Sequence, residues 1–183
     1  MIKVLFLLFI YLFSNCSGNH TEKVRLKSDE NPVEISSTID TSTTVNKIDT
    51  TTKTLSSEII SYAKTLIGVP YKYGSTDINV GLDCSGFITA VYNHFDIRVP
   101  RSSVGFTNYG KNIAWQDVEP GDLILFTGTD STKRIVGHMG IITKTNHELN
   151  FIHATSGKAY SVTITPLNKY YQGRFVKVIR IID

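Results

Sequence analysis

The chain has 183 residues, of which 41% are hydrophobic and 19% are charged, and its net charge is +3. These values are ordinary for one soluble globular domain with a tail. The small net charge and the scattered lysines argue against nucleic acid as a partner.

The chain begins with an apolar segment, "MIKVLFLLFIYLFSNC", in which Lys3 precedes an unbroken apolar run from Val4 to Phe13. This run has the length of a signal-peptide core and is shorter than the roughly 20 residues of a membrane-spanning helix. It ends in "LFSNC", which resembles the lipobox of bacterial lipoproteins. The segment 1–15 is therefore predicted to be a lipoprotein signal peptide and Cys16 to carry the lipid. An ordinary signal peptide that removes Cys16 is the alternative.

The next segment, residues 16–54, shows no persistent helical or strand periodicity. Its stretch "ISSTIDTSTTVNKIDTTTKTLSS" is more than half Ser and Thr. Such a segment buries too little apolar area to offset its ordering entropy. We expect a disordered tether that joins the membrane anchor to a folded domain over residues 55–183.

Two helices are predicted at the start of this domain. In "SSEIISYAKTLIG", an apolar stripe follows a cap at Ser56 or Ser57, and Gly68 ends the helix. The stripe consists of Ile59, Ile60, Ala63, Leu66 and Ile67. The second helix is expected to start at or just before Cys84, in "CSGFITAVYNHF", and to bury Phe87.

Five β-rich runs follow, separated by turn residues: "DLILF", "HMGIITK", "NFIHAT", "SVTIT" and "RFVKVIRII". Helices followed by strands indicate an α+β domain with an antiparallel sheet.

Cys84 lies in "GLDCSGF" and is the only cysteine of the predicted domain. Because Cys16 is either lipidated or removed, no disulfide forms within the mature chain. An unpaired thiol in an exported protein indicates intermolecular pairing or a reactive nucleophile. A helix N-terminus favours the thiolate, and a small buried apolar residue is the alternative interpretation.

Two of the five histidines fall on consecutive predicted strands, His138 in "VGHMGII" and His153 in "NFIHAT". If these strands form a hairpin about the turn "KTNHE", the two side chains face each other roughly 5 Å apart. One histidine would serve as general base for the thiol while the other orients it. His147 is expected to be a solvated turn residue.

Two alternatives remain: either strand histidine could be a partly buried residue with satisfied hydrogen bonds, and Cys84, His138 and His153 could together form a zinc site. Zinc sites usually contain close ligand pairs, and this sequence has none, so we expect neither a metal nor another cofactor.

Six motifs together resemble the NlpC family of papain-like bacterial cell-wall cysteine peptidases. In order they are "GVPYKYGS", "GLDCSGF", "VPRSS", "PGDLILF", "GHMGII" and "FIHAT". The resemblance implies a papain-like domain in which N-terminal helices pack on an antiparallel sheet of five to six strands. It also implies Cys84 as nucleophile, His138 as base and His153 as the third polar residue.

The same resemblance implies further site residues. The Tyr71 hydroxyl would lie beside the nucleophile and help the oxyanion site, and Asp83 and Ser85 would shape the substrate pocket. The expected activity is hydrolysis of peptidoglycan stem peptides in wall growth or turnover, at the D-Ala to diamino-acid crosslink or at the γ-D-Glu to diamino-acid bond. A non-catalytic wall-binding lipoprotein and an acyltransferase are the alternatives.

The expected location is the cell envelope, on the periplasmic side of the outer membrane, because Ser17 does not carry the aspartate that retains some lipoproteins at the inner membrane. We expect a monomer that contacts the membrane through its lipid only.

Overall fold

The computed structural model describes residues 41–182, and in the first part of this range, 41–50, it describes the backbone only. Within the described residues, three α-helices and eight strands follow one another: α1 (Thr41–Thr65), β1 (Thr76–Asp77), β2 (Gly81–Leu82), α2 (Cys84–Asn93), β3 (Lys111–Ile113), β4 (Leu123–Thr127), β5 (Val136–Lys144), β6 (Asn150–Ala154), β7 (Val162–Pro166), α3 (Lys169–Arg174) and β8 (Phe175–Arg180). Two short 3-10 helices, Ser103–Asn108 and Trp115–Asp117, flank β3. The predicted signal peptide, Cys16 and most of the predicted tether lie outside the described residues.

Helix α1 begins earlier than the sequence predicts. Residues 41–54, predicted as part of the tether, are helical, and the caps expected at Ser56 or Ser57 do not form. Ser and Thr cost only a few tenths of a kcal/mol per residue relative to better helix formers. A helix held by its packed end can therefore extend through them, because adding residues to an existing helix is easier than nucleating one.

The packed end of α1 uses most of the predicted stripe. Ile59, Ile60, Ala63 and Leu66 are buried, whereas Ile67 is 50% exposed, so its predicted burial is wrong. The helix ends at Thr65, and the 100° spacing of side chains therefore no longer applies at position 67.

Six strands form one antiparallel sheet in the order β3-β8-β4-β5-β6-β7. The five β-rich runs of the sequence are its strands β4 to β8, and the predicted α+β class is confirmed. Strand β3 and helix α3 were not predicted, because each is too short to show a periodicity. The remaining strands, β1 and β2, form a separate two-stranded ribbon just before α2.

The sheet is covered on both faces. Helices α1 and α2 pack on one face through Ile59, Phe87 and Val91, against Met139 and Ile152 of the sheet. A smaller cluster on the other face joins Phe126, Ile142 and Phe151 to Tyr171 of α3. Alternate residues of β5 and β6 therefore face opposite clusters. Within residues 41–182, none of the helices combines the length and hydropathy that a membrane span requires.

Candidate active site

Cys84 is the first residue of α2, as predicted. The helix is capped by Asp83, whose carboxylate accepts a hydrogen bond from the Gly86 N–H at 2.6 Å. The thiol is half-buried, and its Sγ lies 3.8 Å from the carbonyl oxygen of Gly137 on β5. The thiol therefore lies next to the strand residue that precedes His138.

The start of α2 fits tightly against the preceding loop at Gly86. A Cβ atom at this position would lie 2.0 Å from the carbonyl oxygen of Ser75. Only glycine allows this approach, which also lets the Gly74 N–H donate to the Asp83 carboxylate at 2.8 Å. The glycine of "DCSG" therefore holds the loop against the helix end that presents the thiol.

Arg101, in the motif "VPRSS", holds Asp83 from the opposite side. Its guanidinium donates to both Asp83 oxygens, at 3.1 and 2.8 Å, and to the Ser85 hydroxyl at 3.1 Å. Burial alone would raise the pKa of the Asp83 carboxyl, but the hydrogen bonds from Arg101, Gly86 and Gly74 outweigh burial and lower that pKa. The sequence alone does not predict this role of Arg101, because its pairing with Asp83 depends on tertiary structure.

Asp83 and Ser85 were predicted to shape the substrate pocket. Both are buried, with 6% and 5% of their surface exposed. Their observed partners are internal, since the Ser85 hydroxyl donates to Asp83 and both accept from Arg101. In the free protein they order the helix start, and their contact with substrate stays a prediction.

The Cys84 thiol is protonated at neutral pH. Burial and the neighbouring Asp83 carboxylate raise its pKa to about 11, although the backbone N–H groups at the helix start and Arg101 act in the opposite direction. The helix N-terminus does favour the thiolate, as expected from the sequence, but burial and Asp83 raise the thiol pKa by more. Desolvation outweighs the helix end here.

The two strand histidines form a hydrogen-bonded chain. His138 Nε2 lies 2.8 Å from His153 Nδ1, and His153 Nε2 lies 2.9 Å from the Thr165 hydroxyl on β7. If His138 donates from Nε2, its Nδ1 carries a lone pair and can act as base. In the same arrangement the His153 Nε2–H donates to the Thr165 hydroxyl. Each ring nitrogen of the two histidines then has a hydrogen-bond partner, except His138 Nδ1, which is available as the base.

The two histidines lie on the same face of the sheet, as predicted, but they are not directly opposite each other, so the predicted register is wrong. Strand β5 pairs with β6 so that Ile141 is opposite Ile152, which places His153 opposite Gly140 and two residues from His138. A Cβ at Gly140 would lie 2.8 Å from the Ile152 carbonyl oxygen and 3.1 Å from the His153 Cβ. Glycine therefore leaves room for His153 to lean diagonally onto His138, and the ring centroids are 5.0 Å apart.

Both histidines are neutral at physiological pH. Burial, His153 and the nearby Arg174 lower the pKa of His138 well below its ordinary value. Burial and Arg174 lower the pKa of His153 to about 3. A neutral His138 can accept a proton, which is the property that a general base requires.

In the described part of the chain, no hydrogen bond joins the Cys84 thiol to His138. The thiol instead lies against the carbonyl oxygen of Gly137. Such contacts are commonly loose in a free enzyme and tighten around the substrate. Since His138 Nε2 is bound to His153, Nδ1 is the ring nitrogen left for the thiol.

Tyr71 lies close enough to the nucleophile to be affected by its charge. Burial raises the pKa of the Tyr71 hydroxyl, and the charges of Cys84 and Asp83 raise it further. The hydroxyl therefore stays protonated and can donate a hydrogen bond. Its ring packs edge-on against Tyr160 at 5.7 Å.

The other described histidines are outside this group. His94 stacks on Tyr62 with 3.7 Å between ring centroids, and His147 is exposed in the β5–β6 turn. No group of three or more His, Cys, Asp or Glu side chains in the described part of the chain could hold a metal ion.

The sequence matches the model of the NlpC/P60 family over residues 68–180, a range that contains Cys84, both strand histidines and Arg101. The chain belongs to the NlpC/P60 family. A crystal structure of an NlpC/P60 family protein from Bacillus cereus has the same fold, with a TM-score of 0.63 and 29% sequence identity over 70% of this chain and 40% of that one.

Two curated relatives carry more specific names. A gamma-DL-glutamyl hydrolase of Bacillus subtilis is 30% identical over 70% of this chain, and the aligned region spans 30% of that protein. The murein DD-endopeptidase and murein LD-carboxypeptidase MepS of Escherichia coli is 29% identical over 94% of this chain and 87% of its own length. Further bacterial relatives are named as probable endopeptidases.

Proposed function

We propose that this protein is a cysteine endopeptidase that hydrolyses amide bonds in the stem peptides of peptidoglycan. The observation that carries the proposal is the hydrogen-bonded chain from His138 through His153 to Thr165. The His138 end of this chain lies next to Gly137, where the Cys84 thiol meets β5. Nothing in a merely wall-binding domain requires a thiol and an oriented neutral imidazole at one position.

In the first half of the reaction, His138 Nδ1 accepts the thiol proton while Sγ bonds to the amide carbonyl carbon. The proton leaves as the bond forms, because the free thiol has a pKa of about 11 and gives little thiolate beforehand. The Cys84 backbone N–H and the Tyr71 hydroxyl donate to the developing oxyanion.

In the second half, protonated His138 gives its proton to the leaving nitrogen, and the C–N bond breaks. The amine fragment departs, and the acyl fragment remains on Sγ as a thioester. Water then loses a proton to His138 and attacks the thioester carbon. The acid product leaves, and the proton returns to Sγ.

The D-Ala to diamino-acid crosslink is the favoured bond. MepS aligns with nearly the whole chain, at 94% coverage, and is named as a DD-endopeptidase. The γ-D-Glu to diamino-acid bond is the second candidate, because the Bacillus subtilis relative is named as a gamma-DL-glutamyl hydrolase.

Digestion of purified muropeptides tests the proposal. The chain from Ser17 to Asp183 and its Cys84→Ala variant are incubated with crosslinked dimers and with monomers, and the products are read by mass spectrometry. Conversion of dimers to monomers by the intact thiol alone supports crosslink cleavage. Loss of the diamino acid from monomers moves the cut to the γ-D-Glu bond.

Two results would contradict the proposal. Binding of muropeptides without any thiol-dependent product favours a non-catalytic wall-binding protein. Transfer of an acyl group from Cys84 to an added amine, without hydrolysis, favours an acyltransferase.

We further propose that Cys16 is lipidated and that the lipid holds the enzyme on the periplasmic side of the outer membrane. The motif "LFSNC" and the following Ser17 support this location. Metabolic labelling with an alkyne fatty acid, followed by membrane fractionation, should label the chain in the outer membrane. A Cys16→Ser variant that keeps the label would contradict lipidation at this residue.

A further inference from the structure

A cleft of about 760 Å³ opens beside His138, on the face of the sheet that carries α3. Its walls come from β7, from α3 and from the loop after β6. Cys84 is not among the residues that line it. The cleft therefore adjoins His138, the proposed general base, and not Cys84, the proposed nucleophile.

Positive charge dominates this cleft. Its charged lining residues are Arg174 and Lys158, and the described residues contribute no aspartate or glutamate to its walls. The other polar lining is mainly hydroxyl, from Thr155, Ser156 and Thr165 among others. Cations and hydroxyl donors without a carboxylate are the chemistry that receives an anionic group.

Arg174 has hydrogen-bond donors to spare. Its Nη1 donates to the Tyr170 hydroxyl at 2.5 Å and its Nη2 to the Thr127 carbonyl oxygen at 2.8 Å. Each of these terminal nitrogens carries two N–H donors and makes one of these bonds, so both keep a further donor for a ligand. None of the ion pairs within that range includes Arg174.

Its orientation is nevertheless fixed. The guanidinium carbon lies over the Tyr170 ring at 4.9 Å and near the Tyr171 ring at 5.9 Å. A cation that is held in place without an acidic partner is preorganised for a ligand, because little side-chain entropy is lost when the ligand binds.

The reaction decides which part of the substrate reaches this cleft. During the reaction the acyl carbon is bonded to Cys84, whereas the leaving nitrogen must come within hydrogen-bond reach of His138. A cleft that is lined by His138 and not by Cys84 therefore adjoins the amine-side fragment.

We propose that this cleft binds a free carboxylate on the amine-side fragment of the substrate, with Arg174 as the residue that recognises it. The inference rests on the proposed endopeptidase function. It identifies the preferred substrate as one whose diamino acid keeps a carboxylate that is not amidated.

The position of Arg174 suggests a second effect of the same contact. The guanidinium lowers the pKa of both His138 and His153, which makes the proton transfer from Cys84 harder. A substrate carboxylate beside Arg174 would offset that charge. Recognition and strengthening of the base would then occur together.

A kinetic experiment tests the inference. Two crosslinked muropeptides that differ only in a carboxylate or a carboxamide on the amine-side diamino acid are compared by kcat/KM. The wild-type chain should prefer the carboxylate by about tenfold or more, as expected for a charge-assisted hydrogen bond. Arg174→Met should reduce this preference to about twofold or less, and Arg174→Lys should retain part of it.

Lys144→Met is the matched control. Lys144 is an exposed cation at the end of β5 and lies about 20 Å along that strand from His138. This variant should keep the full preference. Equal turnover of both substrates by the wild-type chain would overturn the inference, as would an equal loss on both substrates in a folded Arg174→Met variant.

A binding measurement separates this inference from the proposed function. Stem tripeptides that end in the diamino acid, as the acid and as the carboxamide, are titrated calorimetrically into the Cys84→Ala chain. Tighter binding of the acid, lost on adding Arg174→Met, supports the cleft even if the wild-type chain cuts neither muropeptide. Equal binding of the acid and the carboxamide would refute carboxylate recognition by this cleft, whichever bond the enzyme cuts.

Discussion

Cys84 combines a helix N-terminus, which lowers a thiol pKa, with burial and an adjacent carboxylate, which raise it. Burial and the carboxylate dominate, and the pKa of the thiol rises to about 11. The thiol of the free enzyme is therefore protected from oxidation and alkylation, since both need the thiolate. In the proposed mechanism, the thiol is activated only when His138 can accept its proton.

Alkylation kinetics test this state of the thiol. In the chain from Ser17 to Asp183, where Cys84 is the only cysteine, the iodoacetamide rate should rise about tenfold per pH unit between pH 7 and 10, because the thiolate fraction does. For the same chain unfolded in guanidinium chloride, the iodoacetamide rate should instead level off near pH 9. A plateau below pH 8 in the folded chain would contradict the raised pKa.

In the proposed mechanism, Thr165 orients the base His138 through its hydrogen bond to His153. Thr165→Val removes the acceptor of the His153 Nε2 hydrogen bond while keeping the side-chain volume, and kcat/KM should fall about 3- to 10-fold. Thr165→Ser, which keeps the hydroxyl, should retain most of the wild-type kcat/KM. Long-range ¹H–¹⁵N NMR should show the His153 tautomer shift in the valine variant alone. Full activity with an unchanged tautomer would mean that Thr165 has no positioning role.

The residues that carry chemistry were predictable from sequence to different degrees. Cys84, His138 and His153 stood in recognisable motifs, and the two histidines could be paired from the spacing of their strands. Thr165 could not be identified in this way, because its contact depends on the β6–β7 register. Arg174 gave no signal, since its unpaired charge is visible only when its neighbours are known.

Among the elements, the β5–β6 hairpin differs most from its predicted form. A turn centred between Thr145 and Asn146 would place His138 opposite His153, but Ile142 pairs with Phe151 and Lys144 with Asn150, with a one-residue irregularity between these two pairs. Such an irregularity has no reliable sequence signal, because it depends on how the strand bends over the core. The predicted contact survives because the register beside the histidines differs from the predicted one by two residues, which returns each side chain to the same face.

Gly140 tests the importance of this register. In Gly140→Ala the new Cβ would lie 2.7 Å from the Phe151 ring and 2.8 Å from the Ile152 carbonyl oxygen. We expect a loss of about 1–3 kcal/mol in the free energy of unfolding and a larger fall in kcat than stability alone explains. Gly128→Ala, where no heavy atom lies within 4 Å of the new Cβ, is the control. Unchanged melting and activity in Gly140→Ala would refute the tight fit.

For the whole molecule, the buried neutral histidines make stability depend on pH. Below pH 6.5 the unfolded chain protonates these side chains while the folded protein, with a His153 pKa of about 3, does not. Stability should therefore fall as the pH falls, by about 2 kcal/mol from His153 alone between pH 8 and pH 5. The Asp83 carboxyl, whose pKa is lowered, titrates below this window.

Urea unfolding at several pH values checks this expectation. His153→Gln should flatten the slope between pH 8 and 5, whereas His147→Asn, at the exposed turn, should leave it unchanged. An equal slope in wild type and His153→Gln would show that the buried ring is not the source.

The strand order has a consequence for how the enzyme comes into being. Strand β8 is the last strand in the chain but occupies an inner place in the sheet, between β3 and β4. A chain cut short before Phe175 can contain Cys84 and both strand histidines while β3 remains separated from β4 to β7. The sheet closes only when Phe175–Arg180 inserts. Completion of the fold therefore waits for a segment that is synthesised long after these three side chains.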